Sequence, residues 1–409
     1  MANIPCPCRW KTHLGAATLL LALVVPATSR ATDLGEAITG GKVLLDWRTR
    51  YEFVDQDGFT DHAKAFTTRL RLGYQTGTWH GFFLMGELED NEALGGEQYN
   101  STANGRTGFP VVADPEDSEL NQALIGFTGL PDTVLRFGRQ RLTFDNLRFI
   151  GNVGWRQLEQ TYDGFSATTT TIDKVTATYA YINNVNRIFG ENNPDPALAD
   201  QNTEIHLAHV AVDIPFGKLV GYVHLMEFQD APGTSHRNIG VRYTGETELS
   251  AGVTLLYAGE YADQADYKGG APTIDAEYGL ARIGVTVHGV TVRAGYELLG
   301  GDGTSAFQTP LATLHAMNGW ADQFLVTPPA GLEDLSLQVE GTVRGIRLLG
   351  VYHDFSADAG GADYGTEIDL LVSRRFGKLY TAGLKYAAYS TDGFAQDTDK
   401  FWIWGQIKF

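Results

Sequence analysis

The chain has almost no cysteine, a deficit of basic residues and only one long apolar run. Its two cysteines, Cys6 and Cys8, both precede that run, so a disulfide framework is excluded for the rest of the 409 residues. The 31 Lys and Arg are outnumbered by 49 Asp and Glu, which argues against a nucleic-acid partner. With 43% hydrophobic residues the chain is too apolar to be disordered.

The apolar run has the layout of a secretory signal peptide. Arg9 and Lys11 precede it, and the apolar residues occupy positions 14–25. Small residues just before the end of the segment place the expected cleavage after Ala31. An uncleaved anchor is the alternative, but the run is short of the ~20 residues that a membrane helix needs. We therefore expect residues 1–31 to be a cleaved signal peptide.

Beyond residue 32 the sequence alternates apolar and polar side chains with a period of two, which is typical of β-strands whose faces meet different surroundings. Near position 47, Leu45, Trp47 and Tyr51 fall on one face, with Arg48 and Arg50 on the other. The same alternation returns along the whole chain, whereas a convincing amphipathic helix does not. The sequence therefore predicts an all-β protein.

The spacing of turn-forming residues indicates eight short and nine long connections in alternation, hence 18 strands over residues 32–409. A soluble sandwich or propeller would bury the apolar faces in a core. A transmembrane barrel turns them toward lipid and combines short periplasmic turns with long outer loops. The alternating lengths favour a single-domain, 18-stranded antiparallel transmembrane β-barrel with short periplasmic turns and long extracellular loops.

The C-terminal strand strengthens this prediction. Phe401, Ile403, Ile407 and Phe409 share one face, and the chain ends on the aromatic Phe409. Such an ending resembles the recognition signal of bacterial outer-membrane barrels. We therefore expect a barrel in the bacterial outer membrane that contacts lipid and lipopolysaccharide, and we expect Phe409 to engage the barrel assembly machinery.

If the apolar faces meet lipid, the charged residues of each strand point into the lumen. Arg48, Arg50, Arg69 and Arg71 lie on the first two predicted strands and are expected to form one basic wall. Rings of arginine select anions, because the planar guanidinium binds carboxylates in a bidentate manner. A salt-bridge ladder that stiffens the barrel is the alternative. Further lumen candidates from the same reasoning are Arg141, Arg293 and Arg344.

Two long loops, 90–118 and 300–334, have the length needed to fold inward and narrow the lumen. Their candidate constriction residues are Glu116, Trp320 and Asp322. The sequence shows no hydrolase, phosphate-binding or metalloprotease motif. We expect no catalytic residues, no metal site and no cofactor.

Several segments together resemble the alginate-export family of outer-membrane channels. They are Gly138-Arg139-Gln140, Gly154-Trp155-Arg156-Gln157, Tyr162-Asp163-Gly164, Thr309 to His315, Asn318 to Asp322, and Gly331 to Asp334. The resemblance implies an 18-stranded monomeric barrel that passes an acidic polysaccharide through an arginine-lined constriction. It adds Arg139 and Arg156 to the lumen candidates.

The sequence therefore predicts a passive channel, with no enzymatic activity, for the export or diffusion of an anionic, alginate-like polysaccharide or of small anions. A weakly selective porin and a plugged structural barrel are the alternatives that these observations leave open.

Overall fold

The computed structural model describes residues 33–409, so the predicted signal peptide lies outside the described residues. Eighteen strands make up most of the described chain. They are β1 Lys42–Gln56, β2 Ala63–Gln75, β3 Phe82–Ala93, β4 Asp117–Phe127, β5 Thr133–Gln140, β6 Thr161–Thr169, β7 Val175–Asn186, β8 Asp200–Ile214, β9 Gly217–Phe228, β10 His236–Ser250, β11 Val253–Asp266, β12 Asp275–Val287, β13 Val290–Leu299, β14 Leu332–Val343, β15 Ile346–Ser356, β16 Asp363–Phe376, β17 Tyr380–Thr391 and β18 Thr398–Lys408.

The strands pair antiparallel in chain order, and the sheet closes on itself. β1 pairs with β18 from Asp46 opposite Lys408 to Gln56 opposite Thr398. Because β1 also pairs with β2, both of its edges are hydrogen-bonded and the barrel is closed. The closed antiparallel barrel of 18 strands confirms the prediction from sequence.

The connections alternate in length, also as predicted. The turn between β8 and β9 has two residues, 215–216, whereas three connections at the opposite end of the barrel run over 94–116, 141–160 and 300–331. In bacterial barrels the short turns face the periplasm and the long loops face outward. The two ends of the molecule are accordingly the short-turn end and the long-loop end.

Along the strands, most apolar side chains point away from the barrel, and most charged side chains point into it. On β2, Leu70 and Leu72 are 39% and 49% exposed, whereas the alternating Arg69 and Arg71 are 1% and 5% exposed. An apolar outer surface around a polar interior is the arrangement that hydrocarbon requires of a barrel. The soluble-sandwich alternative fails, because its apolar faces would be packed against each other.

Helices are few and short in the part of the chain that the structure describes. Helix α1, Leu34–Thr39, begins at Asp33, whose carboxylate accepts a hydrogen bond from Glu36 N at 2.8 Å. Helix α2 is Pro196–Ala199, and 3₁₀ turns occupy Pro232–Thr234 and Leu314–Ala316. These pieces are too short to produce an apolar period, so the sequence did not reveal them. Within residues 33–409, no helix is both long and apolar enough to cross a membrane.

The interior is not hollow toward the long-loop end. There, aromatic residues of the wall pack on aromatic residues of the loops. The centre of the Phe149 ring lies 5.3 Å from the ring centre of Tyr222, 5.3 Å from that of Tyr278 and 5.9 Å from that of Phe307. A smaller cluster joins Tyr99 and other residues of loop 94–116 to the wall. This burial of apolar area holds the long loops inside the barrel.

Candidate functional site

Three connections fold into the lumen and are called the inner loops: loop 94–116, loop 141–160 and loop 300–331. The latter two bind each other through their backbones. Gly151 N donates to Leu311 O at 2.8 Å, and Thr313 N donates to Leu147 O at 3.0 Å. Because the two segments are hydrogen-bonded inside the barrel, they act as one structural unit that narrows the lumen.

Arg48 of β1 binds this unit rather than open solvent. Its guanidinium donates to the carbonyl oxygens of Gly154 at 3.1 Å and of Trp155 at 2.9 Å, and also to that of Arg156. Its Nε donates to Gln157 Oε1 at 3.0 Å. A guanidinium has five N–H donors and no acceptor, so a turn of clustered carbonyl oxygens is a matched partner. Arg48 thereby fixes residues 154–157 against the wall.

Arg50 lies two residues further along the same face and is completely buried. It donates to the Trp155 carbonyl and to the Asp114 carboxylate, and it lies 3.3 Å from Glu52. Asp114 in turn accepts from Gln157 N at 2.8 Å. Arg50 and Asp114 therefore connect loop 94–116 to loop 141–160.

The two arginines of β2 complete the predicted basic wall, and each has a carboxylate partner. Arg69 donates to Asp46. Arg71 donates to Glu89 at 2.8 Å and to Glu159 of loop 141–160 at 2.9 Å. The four arginines lie on the neighbouring strands β1 and β2, on one side of the barrel interior. All four are buried against acids and loop carbonyls, which is the ladder arrangement rather than a water-lined path.

Asp322, a predicted constriction residue, joins the inner loops to β18, the strand that pairs with β1. Its carboxylate accepts from His315 Nδ1 at 2.7 Å, from Lys400 Nζ of β18 at 2.7 Å and from Arg156 at 3.2 Å. Burial alone would raise the pKa of Asp322, but His315, Lys400 and Arg156 outweigh it and hold that pKa well below its usual range. Asp322 therefore lies in a buried ion cluster with Lys400 and Arg156 as its basic partners.

Lys385 of β17 is surrounded by tryptophan rings. Its Nζ lies 3.7 Å from the ring centre of Trp320, 4.5 Å from that of Trp155 and 5.3 Å from that of Trp402. It also lies 2.6 Å from His315 Nε2, which accepts because Nδ1 of the same ring donates to Asp322. Cation–π contacts with several rings stabilise an ammonium group that lacks water. The predicted constriction residue Trp320 thus anchors loop 300–331.

Three sequence-predicted residues are not in the lumen. Arg139 shares the outward face of β5 with Phe137, which is 67% exposed, and pairs with Asp163 at 2.9 Å. Gly138 keeps its register with both neighbouring strands, so the bulge that would turn Arg139 inward is missing. Arg344 occupies a tight turn with φ 51° and is exposed. Glu116 is exposed at the rim and accepts from Ala93 N at 3.0 Å.

The arginines that keep contact with solvent lie elsewhere on the inner face. Arg141 has 33% of its side chain exposed beside Glu159, and Arg293 has 30% exposed at 3.6 Å from Glu340. Arg347, which we did not predict, has 46% exposed and donates to the same Glu340 at 3.1 Å. Strand alternation alone places Arg347 inward, so this residue could have been predicted from the sequence.

Other site residues were missed because they lie in loops, where no alternation indicates direction. They are Asp114, Gln157, Glu159 and His315. Among residues 33–409, no group of three or more His, Cys, Asp or Glu side chains is placed to hold a metal ion.

Glu159 supplies a pH test of how the inner loops are held. Burial alone raises its pKa, but Arg141 and Arg71 outweigh burial and lower the pKa from 4.5 to about 2. A lowered carboxyl pKa contributes stability that is complete above the unfolded-state value and is lost as the pH falls toward the folded-state value.

We expect the difference in free energy of unfolding between the wild type and Glu159→Gln to be constant above about pH 5 and to shrink by roughly 3 kcal/mol as the pH falls to about 2. Urea titrations of refolded protein in lipid vesicles measure this difference. A difference that does not change over that range would contradict the ion-pair account.

Comparison with known proteins identifies the family. A family model described as alginate export matches residues 42–299, and no curated protein matches the chain. OccAB4 of Acinetobacter baumannii has a TM-score of 0.73 at 12% identity, with 94% of this chain and 99% of that chain covered. OccAB2 of the same organism has a TM-score of 0.70 at 18% identity, with 92% of this chain and 100% of that chain covered. OccK9 (OpdG) of Pseudomonas aeruginosa has a TM-score of 0.71 at 14% identity, with 91% of this chain and 99% of that chain covered.

At these identities the solved structures establish the fold alone, which is the same barrel. The family match covers more than half of the chain and agrees with the resemblance noted in the sequence. The family match supports an outer-membrane channel. The chain belongs to the alginate export family and is a β-barrel of the bacterial outer membrane.

Proposed function

We propose that the barrel is a passive channel selective for anionic solutes, either alginate-like polysaccharide chains or small anions. The observation that supports it most directly is the pair Arg293 and Arg347. Both point inward, keep 30% and 46% of their side chains exposed, and share the single carboxylate of Glu340. Two guanidinium groups per carboxylate leave a net positive charge at a water-accessible position.

The four-arginine wall has a different part in this proposal. Arg48, Arg50 and Arg71 hold loop 141–160, so they set the width of the constriction. Arg141, Arg293 and Arg347 meet solvent and attract the passing anion. Arginine suits this task because it stays charged at any physiological pH and binds carboxylates through two parallel hydrogen bonds.

The reversal potential in a planar bilayer under a salt gradient tests the selectivity. We expect the wild type to prefer anions, and we expect Arg293→Gln with Arg347→Gln to reduce that preference several-fold at unchanged fold. The matched control is Arg374→Gln, because Arg374 is exposed on the outward face of β16 beside Phe376. Unchanged selectivity in the double variant would refute the proposed path.

A plugged structural barrel is the second candidate, favoured by the apolar packing of the inner loops around Phe149 and Phe307. The same bilayer experiment separates the candidates. Wild-type protein that inserts but passes no current supports the plugged barrel. Current without ion preference supports a general porin instead.

A further inference from the structure

A shallow apolar groove runs along the outward surface over β3, β4 and β5. Its volume is about 640 Å³, and its lining includes Tyr74, Leu84, Gly86, Ile125 and Phe137. Leu84, Ile125 and Phe137 are 54%, 50% and 67% exposed. A second groove of about 410 Å³ shares Tyr74 and Gly86 with the first, so the two form one continuous depression, called here the wall groove.

The groove exists because small residues interrupt the outward row of large side chains. Gly86 faces outward and lies opposite Ala123 on β4. A Cβ atom added at Gly86 would meet no atom within 4 Å. No other part of residues 33–409 therefore occupies the space beside Leu84 and Ile125.

The groove lies over the shortest ladder of the barrel. β4 and β5 pair over five residues only, from Ala123 opposite Arg139 to Phe127 opposite Leu135. The next pair, β5 with β6, has eight paired residues. Because β4 and β5 share few hydrogen bonds, this is the part of the wall that packing on the outer surface would stabilise most.

The groove begins at the short-turn end. Tyr74 and Thr76 line it there, beside the short turn that precedes β3. The Tyr74 hydroxyl donates to the carbonyl of Ile38 and so fixes α1 at the same rim. Leu34 and Ile38 of α1 are 52% and 53% exposed, which extends the apolar surface. By the orientation of bacterial barrels, this end lies in the periplasmic leaflet.

We propose that the wall groove binds an acyl chain of one glycerophospholipid from the periplasmic leaflet. The groove is continuous with the surface that already meets hydrocarbon. Glu87 is the one charged residue in its lining, and the Glu87 carboxylate is buried on the inner side of the wall, where it accepts from Asn121 at 2.7 Å. Inside a bilayer the hydrophobic effect does not drive such binding, because lipid tails are as apolar as the wall. Retention comes from the additional van der Waals contacts that a concave surface offers to a flexible chain.

The test counts lipids on protein purified from membranes in mild detergent, by native mass spectrometry and by extraction. We expect about one retained phospholipid per wild-type barrel. Gly86→Leu fills the groove and is expected to reduce retention at least several-fold. The matched control is Gly221→Leu, because Gly221 also faces outward and a Cβ there also meets no atom within 4 Å.

A second filling variant, Ala123→Leu, serves if Gly86→Leu does not fold, as judged by heat-modifiable migration on a gel. Hydrogen exchange at Ala123–Phe127 is a second readout, expected to quicken when lipid is stripped from the wild type but not from a filled variant. Equal lipid retention in the wild type and both filled variants overturns the proposal. So does bound lipopolysaccharide in place of phospholipid, or a dimer that the filled variants abolish.

Discussion

Replacing Arg48 and Arg50 together with alanine is expected to raise single-channel conductance several-fold and to make the current noisier. The two guanidinium groups are the wall's contacts to the carbonyl oxygens of residues 154–156. Each buried carbonyl left without a donor costs ~1–3 kcal/mol. Loop 141–160 should then leave the wall, and the lumen should widen where the loop had narrowed it.

The control for this variant is Arg237→Ala, which removes an arginine–aspartate pair from the outward face without touching an inner loop. We expect its conductance to equal that of the wild type. Wild-type conductance in the double variant would show that loop 141–160 is held by its apolar contacts alone. Reduced conductance would show that the arginines line the path themselves.

Asp322→Asn is expected to cost about 3–5 kcal/mol in free energy of unfolding, because it strands buried charges that the carboxylate now neutralises. Lys400 and Arg156 both donate to Asp322 and both are buried. Arg156 keeps Glu52 as a partner, so the loss falls mainly on Lys400. The amide nitrogen of asparagine, itself a donor, would also face at least one of the donors His315, Lys400 and Arg156, with which it cannot form a hydrogen bond. Chemical denaturation in lipid vesicles measures the loss.

The matched control is Asp302→Asn in the same loop. Asp302 is exposed and accepts only from the backbone N–H groups of Thr304 and Ser305. Its replacement should change stability by well under 1 kcal/mol, in line with exposed polar positions. Equal effects at Asp302 and Asp322 would contradict a central role for the buried ion group.

The sequence was sufficient for the barrel because strand alternation and connection length are local properties. One residue in two faces lipid, so Leu70 and Leu72 could be assigned outward and Arg69 and Arg71 inward without any tertiary information. The same rule applied to β13 and β15 also places Arg293 and Arg347 inward, although we recognised only the first.

The candidate site was harder to predict from the sequence than the barrel was, for two physical reasons. The direction of a loop side chain depends on packing between distant segments, which is why Asp114 and Glu159 were missed while the neighbouring Glu116 was chosen. Arg139 was chosen because of the family resemblance and not because of alternation, and the regular ladder through Gly138 shows that alternation was the better guide.

The attachment of the inner loops has a consequence for biogenesis. Loop 300–331 reaches Lys385 on β17 and Lys400 on β18, and through Arg156 it reaches Glu52 on β1. The residues that hold this loop therefore come together only after the last strand has paired with the first. The narrow passage must be the final part of the molecule to mature, and a barrel caught before closure would leak.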